Sequence, residues 1–208
     1  MSQFITTFTG KKFYFDHIDP DQICIADIAH ALSMLCRFTG HVHQFYSVAQ
    51  HSLLVDQQIN GPPHLHLAAL LHDAAEAYVN DLATPLKRYL SPVGRFNLNV
   101  SGESYEELHD RILQAVYQKF GVFVDGGDCF SITRVDAEAC VFEAEAFLGF
   151  TLTMLEEHGF DTSLRGALTG GLPARFAEEH GDLPRQNVED EFLIRFHELT
   201  QMCHLPVG

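Results

Sequence analysis

Leu70-Leu71-His72-Asp73-Ala74-Ala75-Glu76 sets a histidine directly before an aspartate, with a glutamate four residues after the histidine, inside an apolar run. Read as a helix, the run places His72 and Glu76 one turn apart on one face, with Asp73 beside them. Leu67, Ala68, Leu70, Leu71, Ala74 and Ala75 make the surroundings apolar. Crowding an imidazole and two carboxylates into such a place is costly unless something binds them. A divalent cation is the simplest partner. A lone His-Asp pair also occurs on ordinary polar helix surfaces, so further ligands must come from elsewhere in the chain.

Two segments supply them. Upstream, Ser47 and Gln50 stand in capping-box spacing, which marks a helix start and places His51 in its first or second turn. Downstream, Asp136 lies among helix formers in Arg134-Val135-Asp136-Ala137-Glu138-Ala139, next to an apolar stripe of Ile132, Val135, Ala139, Phe142 and Ala146. The ordered set His51, His72-Asp73, Asp136 resembles the HD superfamily of metal-dependent phosphohydrolases. The blocks His72-Asp73-Ala74-Ala75-Glu76 and Asp81-Leu82-Ala83-Thr84-Pro85-Leu86-Lys87 resemble bacterial 5'-deoxynucleotidases in detail. Cys36-Arg37-Phe38 is similar to the arginine-aromatic pair of those enzymes. The likeness covers roughly residues 22–145.

That resemblance implies an all-α HD-domain helical bundle in which His51, His72, Asp73 and Asp136 bind a divalent metal. Two imidazoles and two carboxylates suit Mn, Co, Ni, Fe or Zn better than Ca. It also implies active-site roles for Glu76, Asp81 and Arg37. Glu76 would activate or orient the attacking water, and Asp81 would protonate the leaving oxygen or hold the sugar. Arg37 would clamp phosphate through its planar fork. Phe38 would contact a base or sugar, although filling core space is the commoner role of a phenylalanine. The implied substrate is a small-molecule nucleotide, foremost a deoxynucleoside monophosphate that loses phosphate. The alternative is a deoxynucleoside triphosphate cleaved to triphosphate, as by phage dATP triphosphohydrolases. A non-catalytic nucleotide-sensing module is the alternative of another class.

Composition narrows the rest. The 208 residues, 46% of them hydrophobic, fit a single domain spanning 1–208, with a C-terminal extension from about 151 to 208. A formal net charge of −15 argues against a nucleic-acid-binding surface, and no stable nucleic-acid complex is expected. The first residues lack the pattern of a secretory signal, and no apolar stretch approaches the ~20 residues that span a bilayer, so a cytoplasmic protein without membrane association is expected. A homo-oligomer is left open by the resemblance. Cys24, Cys36, Cys129, Cys140 and Cys203 read as mostly small buried thiols. Of the thirteen histidines, only His51 and His72 match the ligand pattern.

Along the chain, residues 4–15 predict a small β-hairpin around Thr9-Gly10-Lys11, acting as a flap on the helical body. A helix from Asp21 to about Cys36 should deliver Arg37 and Phe38 at its end. Pro63 should start the helix carrying His72, Asp73 and Glu76. Residues 91–102 read as a mobile loop beside the site. Helices are expected over Glu103 to Phe120, about Phe130 to Leu155, and about Asn187 to Cys203. The last should offer Phe192, Ile194, Phe196 and Leu199 to a core or interface. Glu138, Glu143 and Glu145 read as solvated or paired acids rather than catalytic ones.

Overall fold

The computed structural model describes residues 3–90, 103–168 and 185–205, and these are mostly helical with one small sheet. The predicted loop at 91–102 and the glycines at 170–171 lie outside the described residues. Strands β1 (Phe4–Thr6) and β2 (Lys12–Tyr14) pair antiparallel, with Ile5 opposite Phe13. The hairpin is anchored rather than a free flap. Phe13 is fully buried in the main core and stacks on Tyr78 at 4.0 Å. At the hairpin tip, Thr9 donates to Asp27 through both its backbone N–H (2.6 Å) and its hydroxyl (2.9 Å). Burying a phenylalanine contributes about 1.5–3 kcal/mol, enough to hold so short a sheet down.

Helix α1 (Ile25–Met34) buries Ile25, Ile28, Ala29 and Leu32, the stripe its spacing predicts, and is shorter than expected at both ends. Helix α2 (Val48–Gln58) opens on the Ser47–Gln50 capping box and is buried over most of its length. Helix α3 (Pro63–Leu70) begins at Pro63 as predicted but stops before the histidine. Residues 71–75 form turns, and helical structure resumes in α4 (Glu76–Val79). The single helix expected across His72, Asp73 and Glu76 is therefore two helices with a turn between them. The local hydrogen bonds change over from i−4 to i−3, as in Ala74 to Leu71, Glu76 to Asp73 and Tyr78 to Ala75. This tightening is the 3₁₀ pattern.

Next come α5 (Thr84–Leu90) and α6 (Tyr105–Phe120), the latter capped by a Ser104–Glu107 box. Helix α7 (Gly126–Leu148) starts on an Asp125–Asp128 box, earlier than predicted, because the carboxylate of Asp125 accepts the N–H groups of Gly127 and Asp128. It also ends earlier. Gly149 takes a left-handed conformation at φ 69° and stops it, and a separate α8 (Leu152–Glu157) follows. Helix α9 (Arg185–Met202) packs against α1, α2 and α3. Val188, Phe192, Phe196 and Leu199 are buried, whereas Ile194 is 59% exposed and is not part of the core. Two residues from Phe192 is a rotation of about 200°, which carries Ile194 to the opposite face.

Among the described residues no helix is long and apolar enough to cross a membrane. All five cysteines are free, but none is fully buried and Cys129 is exposed, which corrects the expectation of mostly buried thiols.

Candidate metal centre

Three elements meet at the site. Helix α2 contributes His51, the turn after α3 contributes His72 and Asp73, and α7 contributes Asp136. His51 Nε2 lies 3.2 Å from His72 Nε2 and 3.1 Å from Asp136 Oδ1. The donor atoms of these three residues all fall within 4.8 Å of one another, as a shared ion requires. Asp73, the fourth expected ligand, lies outside that mutual group. Its Oδ2 nonetheless stands 3.5 Å from His51 Nε2 and 3.4 Å from His72 Nε2.

The donor set suits a divalent cation because each histidine is oriented from behind. His51 Nδ1 lies 2.6 Å from Glu143 Oε1, and His72 Nδ1 lies 2.7 Å from the Ala69 carbonyl. A carboxylate and a carbonyl only accept, so both Nδ1 atoms carry hydrogen, and each Nε2 is left as the ligating atom. The Ala69 bond also accounts for the broken helix: the imidazole uses the carbonyl of the residue three positions back, where the chain turns.

Glu143 is the residue that sequence reasoning undervalued. It is fully buried and is paired, as one of the two expected fates, but its partners are the centre itself. One oxygen takes His51, and the other takes Arg37 through Nε at 3.3 Å and Nη2 at 3.0 Å. Its signal in the sequence is the seven-residue spacing from Asp136, two helical turns on the same face. Burial opposes its charge, but His51 and Arg37 hold the carboxyl below its usual range. Glu138 instead pairs with Arg134, and Glu145 with Arg165.

Arg37 reaches the site from a turn, not from a helix end. Phe38 and Thr39 adopt φ of 54° and 55°, a left-handed conformation that costs a non-glycine residue about 1–3 kcal/mol. Backbone bonds from Arg37 N–H to the Tyr46 carbonyl (2.8 Å) and from Val48 N–H to the Leu35 carbonyl (3.0 Å) pin the segment beside the start of α2. With Nε and Nη2 committed to Glu143, Arg37 presents Nη1 at 3.7 Å from Asp81 and 4.0 Å from Asp73. Phe38 rests on the small cluster of Val141, Ala144 and Leu155, with the guanidinium 5.5 Å from its ring centre.

Glu76 is buried. Its Oε1 meets Lys87 Nζ at 3.4 Å, while Oε2 has no hydrogen-bond partner among the described residues. Burial, and then the charges of Asp73 and Asp81, raise its carboxyl well above the usual range. Asp81 follows Asn80, itself at φ 67°, and is raised mainly by burial, with Arg37 opposing the rise. Burial and the Arg37 charge both oppose protonation of His51, but Glu143 and Asp136 prevail and lift it to about 10. Asp136 is closely surrounded by protein atoms, which opposes its charge, although its side chain is 40% exposed. The hydrogen bond from His51 nevertheless holds its carboxyl well below the usual range.

The structure thus defines a helical protein with a His, His, Asp group able to hold a metal ion. No family model matches the chain. It is 35% identical over 154 residues to the uncharacterized protein RCAP_rcc00048 of Rhodobacter capsulatus, covering 69% of this chain and 72% of that protein, and it belongs to the same family. It is also 43% identical over 119 residues to the uncharacterized protein YfdR of Escherichia coli, covering 57% of this chain and 59% of that one. The match thus spans under two thirds of YfdR.

Proposed function

We propose that the protein is a metal-dependent phosphohydrolase of the HD type that acts on deoxynucleotides, with a deoxynucleoside monophosphate as substrate and a nucleoside and phosphate as products. The observation that carries this reading is the convergence of two oriented imidazoles and Asp136 beside a buried Glu76, whose Oε2 has no hydrogen-bond partner among the described residues, and the Arg37 Nη1 edge that faces Asp81 at 3.7 Å. A structural metal alone would not call for that acid and that cation. The ordered motif resemblance supplies the substrate class.

His51, His72 and Asp136 would hold the ion, with Asp73 next to both histidines. When bound, it would polarise the phosphoryl group and lower the pKa of water. The chain's own groups do the rest. Arg37 Nη1 binds a phosphate oxygen and offsets its charge, Glu143 having fixed the plane of the guanidinium. Glu76 Oε2 takes the proton from the water that attacks phosphorus. Asp81 gives a proton to the ester oxygen as the P–O bond breaks.

Product analysis tests the reading. Deoxynucleoside monophosphates and triphosphates are incubated with metal-loaded protein, and release of inorganic phosphate from monophosphates is expected. Intact triphosphate released from a deoxynucleoside triphosphate would replace it with a triphosphohydrolase. Metal binding without turnover would replace it with a nucleotide sensor.

A further inference from the structure

Helix α6 carries a polar pair that the mechanism above does not use. Tyr105 and His109 lie one turn apart, with ring centres 6.1 Å from each other. Tyr105 donates from its hydroxyl to the Asn80 carbonyl at 2.6 Å, the residue just before Asp81. Lys87, which meets Glu76, stands 5.5 Å from the centre of the Tyr105 ring. The first turns of α6 therefore form a wall beside Glu76 and Asp81, the acids placed at the reacting end.

On that wall His109 Nε2 is a buried nitrogen with no hydrogen-bond partner among the described residues. Leaving such an atom unsatisfied costs about 1–3 kcal/mol, so a native structure that keeps one invites a ligand there. Its neighbour Tyr105, one turn back, holds the Asn80 carbonyl and lies beside Lys87, so this face of α6 is turned toward the Asp81 turn. Its other nitrogen, Nδ1, lies 3.5 Å from the Asp110 carboxylate. A carboxylate there favours the hydrogen on Nδ1 and leaves Nε2 an acceptor, so the missing group is a donor. Burial lowers the pKa of the ring and keeps it neutral.

We infer that His109 Nε2 accepts a hydrogen bond from the sugar 3'-hydroxyl of the bound nucleotide, making the α6 wall a sugar subsite with His109 as its specificity-determining residue. This rests on the nucleotidase reading. The sugar is the first part of such a substrate beyond the ester oxygen, and His109 lies one turn, about 5–6 Å, past the residue tied to the Asp81 turn. The 3'-hydroxyl is the donor that every deoxynucleoside of this kind retains.

The experiment compares kcat/KM for 2'-deoxynucleoside 5'-monophosphates with that for their 2',3'-dideoxy counterparts, in the wild type, His109→Leu and His109→Gln. The wild type should favour the deoxy substrate by about tenfold, the value of one buried hydrogen bond. His109→Leu should bring the ratio close to one. His109→Gln, whose amide oxygen still accepts, should restore part of the preference. Unfolding midpoints and metal content show that each variant is folded and loaded. An unchanged ratio in His109→Leu, or equal losses on both substrates in both variants, would overturn the subsite and leave the nucleotidase reading standing. A wild type that cleaves neither substrate would overturn both.

Discussion

The same three residue types meet twice along α2, with different results. At one end, His51, Glu143 and Arg37 adjoin Asp136 and His72. At the other, Asp56 is held by Arg195 through Nε at 2.6 Å and Nη2 at 3.1 Å, and by His66 Nδ1 at 2.8 Å. In the Asp56 group each carboxylate oxygen is met by a cation or an imidazole, and the group ties α2 to α3 and α9. In the His51 group, imidazole nitrogens and carboxylate oxygens crowd one point, and Glu76 and His109 nearby keep atoms without a partner among the described residues. A histidine, an acid and an arginine therefore do not make a functional site by composition. Convergence of ligating atoms on one point does.

The sharpest way to break this contrast is to remove a converging donor. His72→Ala or Asp136→Ala should lose the bound metal and lower turnover by more than about 10³-fold, read by metal analysis and phosphate release. Glu76→Gln should keep the metal and still lose roughly 10²–10⁴ in kcat, which separates the acid from the ligands. Glu143→Gln keeps an acceptor for His51 but loses the charge that holds Arg37. Metal affinity should fall by about 10–100-fold in calorimetric titration.

The pH dependence of metal binding has a definite sign. The folded pKa of His51 stands at about 10, above its ordinary value of about 6.5. Its protonated contacts contribute stability that is complete below the lower value and lost as pH rises through the upper one. A metal must displace that proton. Affinity should therefore rise by up to about tenfold per pH unit between pH 6 and 8, with proton release seen as a buffer-dependent heat. Asp56→Ala should have the smallest effect on the centre. Metal affinity stays the same while stability in denaturant falls by about 1–3 kcal/mol, because Arg195 and His66 are partly exposed and recover solvent.

What the sequence made legible was largely what local chemistry decides. The Ser47–Gln50 box placed His51 because a capping box is a local arrangement, and the hairpin followed from its β-branched and aromatic residues around Gly10. The break after Leu70 was hidden, since Leu70-Leu71 and Ala74-Ala75 favour a helix and only the bond from His72 to Ala69 marks the turn. Glu143 was hidden for the opposite reason. A glutamate on a long helix is ordinary until Arg37, more than a hundred residues earlier, arrives at its other oxygen. His109 was passed over beside the apolar Leu108. The gap at its Nε2 exists only once α6 packs against the Asp81 turn.

The central measurement is phosphate release from deoxynucleoside monophosphates by metal-stripped protein before and after reloading with Mn²⁺, Co²⁺ or Zn²⁺, with Asp136→Ala in parallel. Turnover absent in the stripped protein, restored by at least one ion in the wild type and by none in Asp136→Ala is the expected result. Equal turnover in the stripped protein, or full activity in Asp136→Ala, would contradict the assignment of His51, His72 and Asp136 as a catalytic metal centre.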